Sequence, residues 1–184
     1  MRLPNFVSVS GAALLLVLLS GCVPPGAATP PDPTATFVAP YATDEEALAA
    51  AEEAYADYTR VMAEILRDGG ANATRLDDVA IGNFLESSIR NLEEFALKGG
   101  RGSGKVKNSD FRLQRYSSSG SESEVITVYL CSDVSALVLE DTAGKSLVSA
   151  GRPDKSTLQA TFDFDIRRKV LLVSDLDVWS AGKC

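Results

Sequence analysis

The spacing of apolar residues changes once along this 184-residue chain, and that change restricts the fold more than any single motif. Between residues 41 and 98, apolar side chains recur every three or four positions. Leu48, Ala51, Tyr55, Tyr58, Met62 and Ile65 form one series; Phe84, Leu85, Ile89, Leu92, Phe95 and Ala96 form another. Such spacing places each series on one face of a helix. From residue 111 the pattern alternates. Leu158, Ala160, Phe162, Phe164 and Ile166 occupy every second position, as in a strand buried on one side. Residues 111–116, 124–131, 136–139 and 170–179 read as further strands. Helices first and strands second predict an α+β domain, with N-terminal helices packed on one face of a curved antiparallel sheet.

Local signals bound these elements. Thr43-Asp44-Glu45-Glu46 is a capping box: the Thr43 hydroxyl caps the N-terminus and Glu46 reaches back. Asp68-Gly69-Gly70 ends the first helix, and Lys98-Gly99-Gly100 ends the last. Thr74 is expected to cap a short segment carrying Leu76, Val79 and Ala80, with a break at Gly82. Residues 101–110 read as a glycine-rich connection. They lack a preceding strand and any GK[ST] or GxGxxG frame, which sets aside a phosphate loop. Turns are expected at 117–121, 141–144 and Arg167-Arg168-Lys169.

The start of the chain is an address. Arg2 is its only charge before Gly11 to Leu19, an unbroken run of nine apolar residues that is too short to span a bilayer. Leu19-Ser20-Gly21-Cys22 follows and resembles the lipobox of bacterial lipoproteins. The resemblance implies a signal peptide over 1–21, cleavage before Cys22, and a diacylglycerol on its thiol. It places the protein on the extracytoplasmic face of the cell membrane, with the membrane as partner through Cys22. Residues 22–40 then hold the lipidated cysteine and a tether with six of the eight prolines, which favour extended backbone over packing. Residues 41–184 form the single domain.

Composition excludes several functions. The chain carries 18 Lys and Arg against 25 Asp and Glu, for a net charge of −7, and has no histidine. An acidic chain without basic clusters does not suit nucleic acid, which is held through phosphate neutralisation. Without imidazole there is no Ser-His-Asp triad and no histidine metal ligand. No catalytic residue, metal ligand or cofactor is assigned.

The helix-then-sheet order resembles the nuclear-transport-factor-2-like fold, also called cystatin-like. Small secreted lipoproteins of Gram-positive bacteria with this domain are similar in their lipobox, Pro/Thr tether, tyrosine-bearing first helix, Val128-Tyr129-Leu130-Cys131-Ser132-Asp133 strand and C-terminal cysteine. The resemblance covers residues 41–184. It implies helices lying in the concavity of a bent sheet and often closing a pocket. Functions on this fold range from isomerisation to protein binding, so the fold selects none of them.

With Cys22 lipidated, Cys131 and Cys184 remain in an oxidising compartment, where a disulfide is the simplest state; a redox pair or two free thiols are the alternatives. Asp163, Asp165, Asp175 and Asp177 lie in the last hairpin. A three-residue loop would put all four on one face with Leu171, Val173 and Trp179, opposite Phe162 and Phe164; a two-residue loop would split them. One shared face suits either a Ca²⁺ site or simple solvation, and solvation is favoured. Tyr55, Tyr58 and Tyr129 are the candidate ligand contacts, although helical spacing makes Tyr55 and Tyr58 core residues first. The expected function is a membrane-anchored, non-catalytic binding domain for an envelope protein or an apolar small ligand. The alternative is a small ketosteroid-isomerase-like or hydrolase-like enzyme using an Asp/Tyr pocket.

Overall fold

The computed structural model describes residues 40–117 and 125–184. The order is helix α1 (Asp44–Arg67), a 3-10 turn (Ala73–Asp78), helix α2 (Gly82–Leu97), and strands β1 (Arg101–Ser103), β2 (Lys107–Ser117), β3 (Val125–Asp133), β4 (Val138–Glu140), β5 (Lys155–Asp165) and β6 (Val170–Ala181). Strands β2-β3-β5-β6 make one antiparallel sheet, and β1 pairs with β4 in a separate two-stranded ribbon. This is the α+β arrangement of helices followed by antiparallel sheets.

The capping signals act as they read. Thr43 Oγ1 accepts the Glu46 N–H at 3.2 Å, and Glu46 Oε2 accepts the N–H of Ala42 at 2.8 Å, one residue before the cap. At the far end Gly70 has φ 84°, and a Cβ there would stand 2.6 Å from the Leu92 carbonyl oxygen. Glycine is thus required where the exit of α1 passes over α2. Between the helices the structure differs from expectation. The N-cap position of the 3-10 turn is Asn72, in the left-handed region (φ 54°) and without a side-chain capping hydrogen bond, and Thr74 lies inside the turn. Asn tolerates that conformation, whereas β-branched Thr does not.

The core lies between α1 and the sheet. Ala51, Tyr55, Tyr58, Val61 and Ile65 of α1 meet Ile126, Val128 and Leu130 of β3, Ala160 and Phe162 of β5, and Leu171 and Val173 of β6. Leu92 is the buried apolar residue of α2, with Phe84, Leu85 and Ile89 half-buried against the core. Ala96, counted in the expected stripe, is exposed. The segment after the 3-10 turn joins the sheet at β6: the Ile81 N–H donates to the Val173 carbonyl at 3.0 Å, and the Val173 N–H donates to the Val79 carbonyl at 3.1 Å. This short parallel bridge covers part of an edge that would otherwise expose unpaired backbone groups.

Two further expectations need correction, and a third is untested. Residues 101–110 are not a connection: they hold β1 and the start of β2, and β1 pairs with the distant β4. The expected turn at 117–121 lies outside the described residues beyond Ser117. The last hairpin turns through four residues, Ile166 to Lys169, because Asp165 organises it. Asp165 accepts the Arg167 and Arg168 N–H groups, each at 2.9 Å, and the Arg168 Nε at 2.8 Å, while Arg168 Nη1 reaches the Asp77 carbonyl at 2.7 Å. These donors, the Arg168 N–H foremost, hold the Asp165 carboxyl below its ordinary value. Ile166 falls in this turn and is exposed.

With an even loop, regular pairing would separate the two carboxylate pairs. A bulge at Ser174 reverses the outcome. Phe162 pairs with Val173, but Thr161 pairs with Asp175 and Gln159 with Asp177. The extra residue flips the parity of β6, so Asp163, Asp165, Asp175 and Asp177 all sit on the face away from α1. Leu171 and Val173, expected beside them, face the core instead.

Candidate functional site

Helix α1, the β1–β4 ribbon and the core-facing side of the sheet enclose a cavity. It measures about 210 Å³. Tyr55, Tyr58, Met62 and Leu66 of α1 line one wall; Leu158 of β5 and Leu176 of β6 line another; Val106, Val134 and Leu137 close it. Gly104, at φ 85°, forms part of the rim and leaves no room for a Cβ against the Ala136 carbonyl. A groove of about 640 Å³ adjoins the cavity and shares Tyr55, Thr59, Ala63, Arg67, Gly104 and Val106 with it. The groove adds Glu52, Arg60, Lys105, Asn108 and Phe111.

Two polar features stand out in this apolar space. Tyr55 and Tyr58 are buried, with ring centroids 5.8 Å apart, and neither hydroxyl has a hydrogen-bond partner among the described residues. Burial pushes the Tyr58 phenol far above its ordinary value, and burial with the neighbouring Tyr58 does the same to Tyr55. Both therefore remain neutral O–H donors at any physiological pH. Above them Asn108 Nδ2 donates to Thr59 Oγ1 at 3.2 Å, and Thr59 Oγ1 donates to the Tyr55 carbonyl at 2.8 Å. Asn108 Oδ1 is buried and has no hydrogen-bond partner among the described residues. A buried acceptor without a donor is costly, and here it borders the groove.

Of the three candidate tyrosines, the structure brings Tyr55 and Tyr58 together and sends Tyr129 elsewhere. Val128 and Leu130 face the core, so Tyr129 faces the opposite side of the sheet. There its ring lies 5.1 Å from that of Trp179. Cys131 and Cys184 also meet at this side, at disulfide distance with Sγ–Sγ 2.08 Å and Cα–Cα 5.4 Å. Cys22 lies outside the described residues.

The acidic face does not gather into a site. Asp165 is committed to its turn. Burial raises the Asp163 carboxyl above its ordinary value, partly offset by a hydrogen bond with Ser174. Among the described residues no three His, Cys, Asp or Glu side chains are grouped to hold a metal ion. Also among them, no helix is long and apolar enough to cross a membrane.

Sequence reasoning missed Thr59, Asn108, Arg67 and Lys105. Thr59 and Arg67 had a signal, since they flank the Tyr55–Tyr58 stripe at helical spacing. Asn108 and Lys105 had none, because they fell in a segment that reads as loop.

Fold and site together define an α+β domain with an apolar cavity between its first helix and an antiparallel sheet. No family model matches the sequence, and no curated protein matches it. Among solved structures, the chain is similar to the intermembrane space region of the chloroplast protein ARC6, with a TM-score of 0.53 at 12% identity, over 73% of this chain and 97% of that one. At that identity the likeness shows the fold alone.

Proposed function

We propose that this chain is a lipid-anchored cell-envelope protein whose domain is of the nuclear-transport-factor-2-like type and works as a non-catalytic module for an apolar ligand. One observation carries the binding reading: the cavity beside α1 is lined mainly by apolar side chains, Met62, Leu66, Leu158 and Leu176 among them, beside the neutral Tyr55 and Tyr58. Few, fixed polar groups in an apolar recess orient a ligand without transforming it. An isomerase-like Asp/Tyr pocket has less to rest on. Its general base must lie within hydrogen-bond reach of the substrate, and among the described residues no carboxylate lines the cavity. The nearest in the adjoining groove is Glu52.

Nile red, a neutral probe, tests the binding reading with the whole chain carrying Cys22→Ala. Saturable, one-site fluorescence enhancement is expected. It is expected to be lost in Ala63→Phe, which fills a position shared by cavity and groove, while the melting transition is retained. Absence of saturable binding in the parent chain refutes this reading.

The anchor rests on Leu19-Ser20-Gly21-Cys22. Cell fractionation of Cys22→Ala is expected to find the protein in the medium, because loss of the acyl chains removes the membrane affinity they supply. Continued tight membrane retention would overturn the lipobox reading.

A further inference from the structure

The groove carries more charge than the cavity it adjoins. Arg60, Arg67 and Lys105 line it against one carboxylate, Glu52. Arg60 is already matched, by Asp57 at 3.1 Å and Glu64 at 3.2 Å. Arg67 and Lys105 enter no ion pair among the described residues. Arg67 lines both spaces and so stands where the apolar cavity opens into the groove. Its backbone is fixed there, since the Arg67 carbonyl accepts Arg101 Nη1 at 3.1 Å. The chain as a whole has net charge −7, so two cations without ion pairs in the groove beside its apolar cavity run against the overall field.

We propose that the groove takes a single-chain fatty-acid anion, its alkyl chain in the cavity and its carboxylate between Arg67 and Lys105. This rests on the apolar-ligand reading above and adds the head group to it. The volume favours one chain: about 210 Å³ exceeds the roughly 150 Å³ that accommodates a benzene ring, but leaves little room for a second chain. The tail meets Tyr55, Tyr58, Leu158 and Leu176. The head meets a guanidinium and an ammonium, both donors suited to a carboxylate. Glu52, the carboxylate of the groove lining, disfavours an anion beside it and so favours a head group at the two cations.

Decanoate, decanol and decyltrimethylammonium share a tail and differ in head charge. They are titrated as Nile red competitors against the whole chain carrying Cys22→Ala, at low salt. Decanoate is expected to bind about tenfold more tightly than decanol, the upper scale for two exposed charges, and the cation more weakly than either. Added salt is expected to erode the preference for decanoate and leave decanol unchanged. In Arg67→Gln/Lys105→Gln the preference is expected to fall to about twofold or less. In Arg90→Gln/Lys98→Gln, which removes the same charge from α2 and its cap, it is expected to persist. Equal affinity for decanoate and decanol overturns the proposal, as does a preference that survives Arg67→Gln/Lys105→Gln. Nile red bound with no competition from any of the three overturns it too, while leaving the apolar site standing. Loss of Nile red binding as well means that the apolar-ligand reading itself has failed.

Discussion

Phe162→Ala is expected to destabilise the domain by about 3–5 kcal/mol, read as a fall in the urea midpoint at unchanged slope. Phe162 heads the fully buried side chains, at 0% exposure, and pairs with Ile126 on one side and Val173 on the other. Its ring meets Tyr55 edge-on, with centroids 6.5 Å apart. Truncation therefore removes a central contact between the sheet and α1, and the cavity left cannot collapse without moving both. Against a typical total stability of about 5–15 kcal/mol, such a loss leaves a marginal protein. Val178→Ala serves as the comparison. Val178 lies on the neighbouring strand but is 62% exposed, so its truncation is expected to cost about 0.5 kcal/mol or less. A cost for Phe162→Ala close to that of Val178→Ala would mean that α1 does not pack on this face of the sheet.

Loss of the Cys131–Cys184 link is expected to be nearly as severe, for a different reason. The cysteines are separated by 53 residues, and closing a loop of that length restricts the unfolded chain by about 4 kcal/mol in the chain-entropy model. The native tail has other holds: the Gly182 N–H donates to the Lys155 carbonyl at 2.9 Å, and Thr157 Oγ1 donates to the Lys183 carbonyl at 3.0 Å. The effect therefore falls mainly on the unfolded state. Cys184→Ser is expected to keep a native far-UV spectrum while its unfolding midpoint drops. Reductant is expected to lower the midpoint of the parent chain by a similar amount and to do nothing further to Cys184→Ser. A parent midpoint indifferent to reductant would show that the two thiols are not linked in solution.

Much of the helical half was legible because its signals are local. The Thr43 cap, the stripe from Ala51 to Ile65 and the glycines after Asp68 each act within one or two helical turns. The long strands were legible for the same reason, since alternation needs only the chain's own period. The site was less legible. Tyr55 and Tyr58 were found by their spacing, but Tyr129 was grouped with them although its strand parity sends it to the other face. The 101–110 segment read as loop because β1 is three residues long and has no stability apart from β4, more than thirty residues away.

The sequence by itself determined the sorting of the chain into an apolar N-terminal run, a proline-rich stretch, a helical segment and a strand-rich segment. It also determined the absence of histidine, because composition and periodicity belong to the covalent chain. Only the tertiary structure decided that the Ser174 bulge would reunite four carboxylates on one face, that Cys131 and Cys184 would come within bonding distance, and that Arg67 and Lys105 would stand at the mouth of one groove. Each of these depends on register between strands or helices distant in sequence. A register is set by which pairing buries the most apolar surface with its backbone groups satisfied, a sum over the whole fold that no single window of sequence contains.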